Sequence, residues 1–374
     1  MARQRWWARV SRGHAALLAG LLVLGMGLPA LAQSPSPAEG DRPGSTAILP
    51  PDFPAGLAEA WPDGHRPPVP LLWKVSDADT TLWLLGAFHL LKPGDYPLSV
   101  DVARAFHDAD RLVFELAPDE IDGPDTQARF MAAAVLPDGG RLAGVLPAVT
   151  REKLARLLAR QGGSIDQVAA YQPWFINLSL VLGLAHSMGY QPDLGIDRFL
   201  MTQAAAADKP VGGLETLEAQ LAALAGAPMQ EQVQALQEYL ANPEQMPVRL
   251  EELHQAWRGG DVVRLEQLTR LEMLRSTPET YRLVNVVRND AWLERLDAML
   301  RHDAGTALVV VGALHLLGGD GLVERLAGLG YDVERVCSLC AVDDAPLQPG
   351  PGVDAMPVVP LVPEPVPAGA AGEG

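Results

Sequence analysis

Apolar and polar residues alternate along the chain in a way that predicts strands at the two ends of a core. Short apolar runs at 70–76 and 80–88 are separated by the polar triplet "DAD", which is typical of a β-hairpin. A helical pattern at 99–110 and the strand-like "RLVFEL" at 111–116 follow. The same order of strand, loop, helix and strand returns at 307–336. Strands that alternate with helices predict parallel pairing, and so an α/β fold with a mixed, largely parallel sheet and flanking helices.

The middle of the core has the pattern of helices. From about 150 to 303, apolar residues mostly recur at helical spacing, so we expect a mostly helical insertion within a core that spans 69–341. The stretch 173–190 is apolar on all sides, which predicts a buried helix that ends near Gly189. The longest helical pattern, at 278–302, leads directly into the second set of strands.

The segments outside this core have the composition of export and linker sequences. Residues 1–32 combine four arginines and no acid with an apolar run and a final "ALA", the order of a secretory signal peptide. They predict an exported protein, periplasmic or secreted, with no stable membrane insertion after cleavage; a single N-terminal anchor is the alternative. Residues 33–68 are rich in Pro, Ser and Gly and predict a flexible lead-in, and the Pro-rich residues 342–374 predict a disordered tail.

The net charge limits which binding partners are expected, and the two cysteines permit a disulfide. The formal net charge is −17, and no run of Lys or Arg follows residue 32. Nucleic acid and anionic membrane surfaces are therefore not expected partners, because both bind clustered positive charge. The two cysteines, Cys337 and Cys340, are compatible with a disulfide, as expected of an exported protein, or with two thiols near the end of the core.

Two nearly identical stretches carry the first candidate chemistry: "LWLLGAFHLL" at 82–91 and "LVVVGALHLL" at 308–317. In each, a strand-like run ends in a glycine, and a histidine, His89 or His315, follows three residues later. The glycine permits a sharp turn, so the histidine is displayed at the carboxyl end of its strand, where ligands bind in open α/β sheets. If the two strands are neighbours, both imidazoles lie on the same rim; alternatively, the repeat preserves only a packing unit.

A third candidate is Glu115, which lies in the apolar run "DRLVFELAP". A carboxylate near the end of a buried strand is unfavourable unless it is paired or bound to metal, although its position in the run also permits it to face solvent. Neutral imidazole and carboxylate together suit Zn, Mn, Fe or Co. No local metal signature such as H-E-x-x-H is present, so the pattern alone leaves the chemistry of the site open.

These motifs resemble those of the TraB/PrgY/GumN family, which includes the Tiki metalloproteases. Beyond the two GxxH motifs and the Glu of "FEL", the matching pieces are "YQPWF" at 171–175, "GIDRFLMTQAAAADKPVGGLETLEAQL" at 195–221 and "RNDAW" at 288–292. The resemblance spans about residues 71–336. It implies an α/β fold of the erythromycin-esterase type and a divalent-metal-dependent hydrolase, similar to a peptidase, with a peptide or protein substrate.

The resemblance also implies a site made of metal ligands, catalytic groups and motif glycines. The implied ligands of a Zn, Mn, Co or Fe ion are His89, His315 and Glu115. The implied catalytic residues are Glu115, Glu215, Arg288 and Asn289, and the further site candidates are Asp197, Gly86 and Gly312. One of the two glutamates would take and return the proton of the metal-bound water.

Three of these residues also have structural interpretations that the sequence leaves open. Glu215 suits the positive end of the next helix's dipole, Asp197 suits a helix N-cap, and Arg288 either holds a substrate carboxylate or pairs with an acid. Two alternatives to a metallopeptidase also remain. One is metal-free hydrolysis of an ester or amide by His and Glu, and the other is sequestration of a peptide without catalysis.

Overall fold

The computed structural model describes residues 66–340. The predicted signal peptide, nearly all of the predicted lead-in and the predicted tail lie outside this range. The described residues up to Leu339 belong to one compact unit, and a second unit begins at Cys340, the last described residue. The first unit is built on a six-stranded sheet. Its strands are β1 (Leu72–Ser76), β2 (Thr80–Ala87), β3 (Arg111–Leu116), β4 (Val211–Glu215), β5 (Gly305–Gly312) and β6 (Asp332–Arg335).

The sheet has the order β4-β3-β5-β2-β1-β6, and this arrangement confirms the predicted α/β architecture. β2 pairs with β5, β5 with β3, and β3 with β4, all in parallel. The predicted hairpin is present as the antiparallel pair β1 and β2, and β6 joins β1 antiparallel at one edge. β5 lies inside the sheet, and Ala307 to Val311 are at most 1% exposed, as expected of a parallel strand covered on both faces.

Helices surround the sheet and fill most of residues 150–303, as the sequence predicts. Before β4 they are α1 (Val100–Asp108), α2 (Pro118–Asp122), α3 (Thr126–Ala134), α4 (Leu142–Val145), α5 (Ala148–Arg160), α6 (Pro173–Ser187) and α7 (Ile196–Ala206). After β4 they are α8 (Leu217–Ala225), α9 (Met229–Ala241), α10 (Met246–Arg258), α11 (Val262–Leu268), α12 (Arg270–Ser276), α13 (Pro278–Tyr281), α14 (Val287–His302) and α15 (Leu322–Gly328).

The longest predicted helix is present and contains an irregular turn. α13, a π-turn at Arg282–Val286 and α14 follow one another without a break, and all residues at the two junctions have helical backbone angles. A π-turn holds an extra residue within an α-helix and often occurs at functional sites. α14 packs against β2 and β4, so this helix crosses the face of the parallel part of the sheet.

The apolar stretch at 173–190 forms α6, and its end is where the sequence predicts it. Gly189 has a φ of +86°, the left-handed backbone that ends many helices. The prediction of burial on all sides is wrong for the last two turns, because Gly183 and His186 are exposed. No helix among residues 66–340 combines the length and the apolar character needed to cross a membrane. Cys337 and Cys340 are both disulfide-bonded.

Candidate functional site

The carboxyl ends of the neighbouring strands β2 and β5 carry the two GxxH motifs. The strands pair in register, with Ala87 opposite Gly312. His89 follows β2 in a loop, and His315 lies in a 3₁₀ turn directly after β5. Both histidines are buried, at 5% and 0% exposure. The repeat in the sequence therefore places two imidazoles on the same rim of the sheet.

Two glutamates extend this rim across the next two strands. Glu115 is the last but one residue of β3, and Glu215 is the last residue of β4. Their side chains are 4% and 6% exposed, so Glu115 does not face solvent. Glu215 does not cap the helix that follows, because Thr216 is the N-cap of α8 and its hydroxyl accepts the N–H of Ala219.

Asp197 joins the site from the first turn of α7. Its Oδ2 lies 2.5 Å from Nδ1 of His89. The N-cap of α7 is Gly195 rather than Asp197, and the close approach requires this glycine, because a Cβ there would lie 2.2 Å from the carbonyl oxygen of His89. A carboxylate beside Nδ1 favours the ring proton on that nitrogen, and the other ring nitrogen of His89, Nε2, lies on the side of Glu115.

Arg288, in the first turn of α14, is buried and uses all five of its N–H groups. Nε and Nη2 donate to Glu215 at 2.6 to 3.1 Å, and Nη2 also donates to Oε2 of Glu115 at 2.6 Å. Nη1 donates to the carbonyl of Val284 at 3.1 Å and to Nε2 of His315 at 3.2 Å. Burial disfavours the charge of Arg288, but the two carboxylates outweigh it and raise the pKa of the guanidinium. Every donor of Arg288 thus has an acceptor within the chain, which leaves none over for a substrate carboxylate.

His315 is held by an amide where His89 is held by a carboxylate. Nδ1 of His315 lies 2.7 Å from Oδ1 of Asn289, a buried residue of α14. Burial, followed by the charges of Arg288 and His89, holds the pKa of His315 well below its ordinary value. The ring of His315 is therefore neutral at physiological pH.

Glu115 is the carboxylate that faces both histidines. Its Oε1 lies 3.9 Å from Nε2 of His89 and 3.9 Å from Nε2 of His315, and it accepts the backbone N–H of Gly312 at 2.7 Å. Burial raises the pKa of Glu115, and the charges of Arg288 and His89 oppose this effect without cancelling it. Both glutamates accept from Arg288, and Glu115 is the one that also lies beside the two imidazoles.

Gln220 is a site residue that the sequence reasoning missed. Its Nε2 donates to Oε2 of Glu115 at 3.2 Å and to Oε1 of Glu215 at 3.3 Å, and the residue is 1% exposed. A signal for it was present in the sequence, because Gln220 lies between Leu217 and Leu221 on the apolar face of α8. A polar side chain in that position needs buried partners, and the two glutamates supply them.

Comparison with known sequences agrees with the motifs. The family model described as the TraB/PrgY/gumN family matches residues 71–335. The chain belongs to the TraB/PrgY/gumN family. "Uncharacterized protein YbaP" of Escherichia coli strain K12 is 26% identical over 246 residues, 65% of this chain and 86% of that relative, and YbaP of Shigella flexneri matches to the same extent. No solved structure matches the chain.

The motif glycines of this TraB/PrgY/gumN member keep the two motifs in contact. A Cβ at Gly86 would lie 3.0 Å from the Cβ of Leu71 and 3.2 Å from the Cα of Ala313, which belongs to the second motif. Gly312 supplies the N–H that Glu115 accepts. The first glycine therefore permits close packing, and the second also provides a backbone donor within the site.

The side chains that could ligate a metal ion are not arranged to hold the ion that the resemblance implies. Nδ1 of His315 is hydrogen-bonded to Asn289, so only Nε2 is left to coordinate a metal. That nitrogen already accepts a hydrogen bond from Arg288. Within residues 66–340, no group of three or more His, Cys, Asp or Glu side chains is arranged to hold a metal ion. A divalent metal stays a prediction, and we assign no catalytic step to one.

Proposed function

We propose that this TraB/PrgY/gumN protein is a hydrolase that activates water with His89 and Asp197 and cleaves an amide or ester bond of a peptide or protein. The observation that carries the proposal is the 2.5 Å contact between Nδ1 of His89 and Oδ2 of Asp197. This pair has the composition of the base and its orienting acid in hydrolases that activate a nucleophile by proton transfer.

The reaction uses the second nitrogen of the same ring. Nε2 of His89 and Oε1 of Glu115 are 3.9 Å apart, so one water molecule can contact both atoms. A proton of this water passes to Nε2, and the hydroxide adds to the carbonyl carbon of the substrate. The imidazolium then returns the proton to the leaving nitrogen or oxygen as the C–N or C–O bond breaks. Asp197 stabilises the imidazolium between these two steps.

Arg288 takes a supporting part in this scheme. Its guanidinium lies against Glu115 and Glu215, which are both shielded from solvent, and its charge keeps the two carboxylates close together. Because the five N–H groups already have acceptors, Arg288 acts on the substrate through its charge rather than through a bidentate hydrogen bond. Glu115 orients the water, and Glu215 holds the arginine.

The cellular location is part of the proposal. The composition of residues 1–32 suggests export, and the net charge of −17 with no basic cluster beyond that segment favours a peptide or protein substrate over nucleic acid. We therefore propose that the reaction takes place in the periplasm or outside the cell.

The test is a hydrolysis screen with the purified mature chain, residues 33–374. It uses matched chromogenic peptide amides and esters, before and after dialysis against a chelator. We expect hydrolysis that survives chelation and is lost in His89→Gln and Asp197→Asn. His186→Gln, which alters an exposed histidine of α6, is the matched control and should keep full activity. The metal content of every sample is measured in parallel.

Two results would overturn the proposal. Activity that disappears on chelation and returns with Zn, Mn, Co or Fe would establish the metal-dependent peptidase instead. Peptide binding without hydrolysis, unchanged in His89→Gln, would favour sequestration of a peptide.

A further inference from the structure

We propose that Asn289 is a positioning residue that fixes His315 in one tautomer, so that His315 holds Arg288 in place and the two GxxH histidines do different work. The inference rests on the proposed function for its kinetic consequence, but its structural content is tested independently. It assigns a role to the amide of Asn289 that no motif in the sequence specifies.

The orientation of the Asn289 amide follows from its neighbours. One end of the side chain lies 3.1 Å from the carbonyl oxygen of His315 and 2.9 Å from that of Asp320. A carbonyl oxygen can only accept, so this end of the amide is the NH₂ group. The other end, which lies 2.7 Å from Nδ1 of His315, is therefore Oδ1.

The tautomer of His315 follows from both of its nitrogens. Oδ1 of Asn289 can only accept, so Nδ1 of His315 carries the proton. Nη1 of Arg288 can only donate, so Nε2 of His315 carries the lone pair. The two contacts lie on opposite sides of the ring and give the same answer.

The contrast with the first motif explains why the chain repeats the motif without repeating its chemistry. His89 is backed by the carboxylate of Asp197, which lies 2.5 Å from Nδ1 of the ring. His315 is instead backed by the neutral amide of Asn289, and its other ring nitrogen accepts from the guanidinium of Arg288. His89 therefore serves as the base, and His315 serves as a fixed acceptor that orients Arg288.

An aspartate at position 289 would disturb this arrangement in two ways. It has no N–H to donate to the buried carbonyls of His315 and Asp320. Its charge would also favour a proton on both ring nitrogens, and an N–H at Nε2 would then point at the N–H of Arg288. Asparagine, which is almost the same size as aspartate, supplies the N–H groups for the two carbonyls and carries no charge.

The first test determines the tautomer of His315 in the unaltered chain. The mature chain is labelled with ¹⁵N at its histidines, and long-range ¹H–¹⁵N spectra are recorded at neutral pH, with the signals of His315 assigned by their loss in His315→Gln. We expect a protonated Nδ1 and an unprotonated Nε2. A proton on Nε2, alone or together with one on Nδ1, would overturn the inference whether or not the protein shows activity.

The second test compares Asn289→Asp with Asn177→Asp, which places the same change at another buried asparagine, in α6. Asn289→Asp should add a proton signal at Nε2 of His315 and lower kcat about 10- to 100-fold, the effect of losing one hydrogen bond of a charged donor. Asn177→Asp should leave the tautomer of His315 unchanged. An unaltered His315 spectrum in Asn289→Asp would contradict the inference. If the wild-type chain hydrolyses nothing, the proposed function fails while the spectra still decide the tautomer.

Discussion

Replacement of Arg288 by methionine should destabilise the protein strongly, because two buried carboxylates depend on its charge. The side chains of Glu115 and Glu215 are 4% and 6% exposed, and both are within 2.6 Å of Nη2 of Arg288. Removal of one partner from a buried ion pair costs about 3–5 kcal/mol, since the remaining charge has no counter-ion. A loss of this size is a large part of the roughly 5–15 kcal/mol that holds a typical domain folded.

The loss should also depend on pH, with a sign that the site fixes. Burial raises the pKa of Glu115 in the folded protein, and the charge of Arg288 partly opposes that rise. A carboxyl group with a raised pKa favours the folded state at low pH, and this stability is lost as the pH rises through the folded pKa. Without Arg288 the pKa rises further, so Arg288→Met should be more destabilising at about pH 8 than at about pH 5.

Urea denaturation followed by circular dichroism at both pH values measures these differences. Arg156→Met is the matched control, because Arg156 is 59% exposed and pairs with Glu152 one turn away on α5, so it should change stability by about 0.5 kcal/mol or less. A loss below about 1 kcal/mol for Arg288→Met at the higher pH, or the same loss at both pH values, would refute the electrostatic account.

Three further substitutions test separate parts of the site. Asp197→Asn should lower kcat by about 10²- to 10⁴-fold and flatten the pH–rate profile, because the base loses its orienting charge; an unchanged profile would exclude the pair from catalysis. Gly195→Ala should lower the melting temperature and activity together, since its Cβ would collide with the carbonyl of His89, whereas Gly183→Ala, with open space around its Cβ in a helix, should be neutral or stabilising by about 0.5–1 kcal/mol. Gln220→Leu should cost about 1–3 kcal/mol in urea denaturation, as two buried acceptors lose a donor; an equally stable variant would mean that the bridge contributes nothing.

The fold could be predicted from the sequence because its signals are local and repeated. Strands that alternate with helices predicted parallel pairing, and the two strand–Gly–x–x–His stretches predicted a histidine at the end of each strand. The pairing of β2 with β5 brings His89 and His315 to one rim. Glu115 was recognised because a carboxylate in an apolar run needs a partner, and that partner proved to be Arg288. In these stretches, the apolar runs of the sequence correspond directly to buried strands.

The division of labour within the site could not be predicted, because it depends on contacts between residues far apart in the chain. Nothing near His89 in the sequence shows that Asp197 supports it, and the decisive feature is the absence of a Cβ at Gly195. Arg288 could equally have bound a substrate, since the pattern does not reveal whether its five N–H groups are already used. Gln220 was overlooked because a single polar residue in an apolar helix is an ambiguous signal until its neighbours are known.

The π-turn at Arg282–Val286 gives the helix that carries Arg288 and Asn289 a spare residue. Each residue of an α-helix advances the side-chain direction by about 100°, so rewinding this turn as regular α-helix without shortening it would rotate both side chains away from the rim relative to α13. Shortening the turn by one residue, such as the exposed Arg282, would instead permit a regular helix in which Arg288 and Asn289 keep their direction relative to α13. The same deletion inside α14 would change the rotational phase of everything beyond it. We therefore expect the chain to tolerate the loss of one residue at this turn, because the side chains of the site would keep their direction.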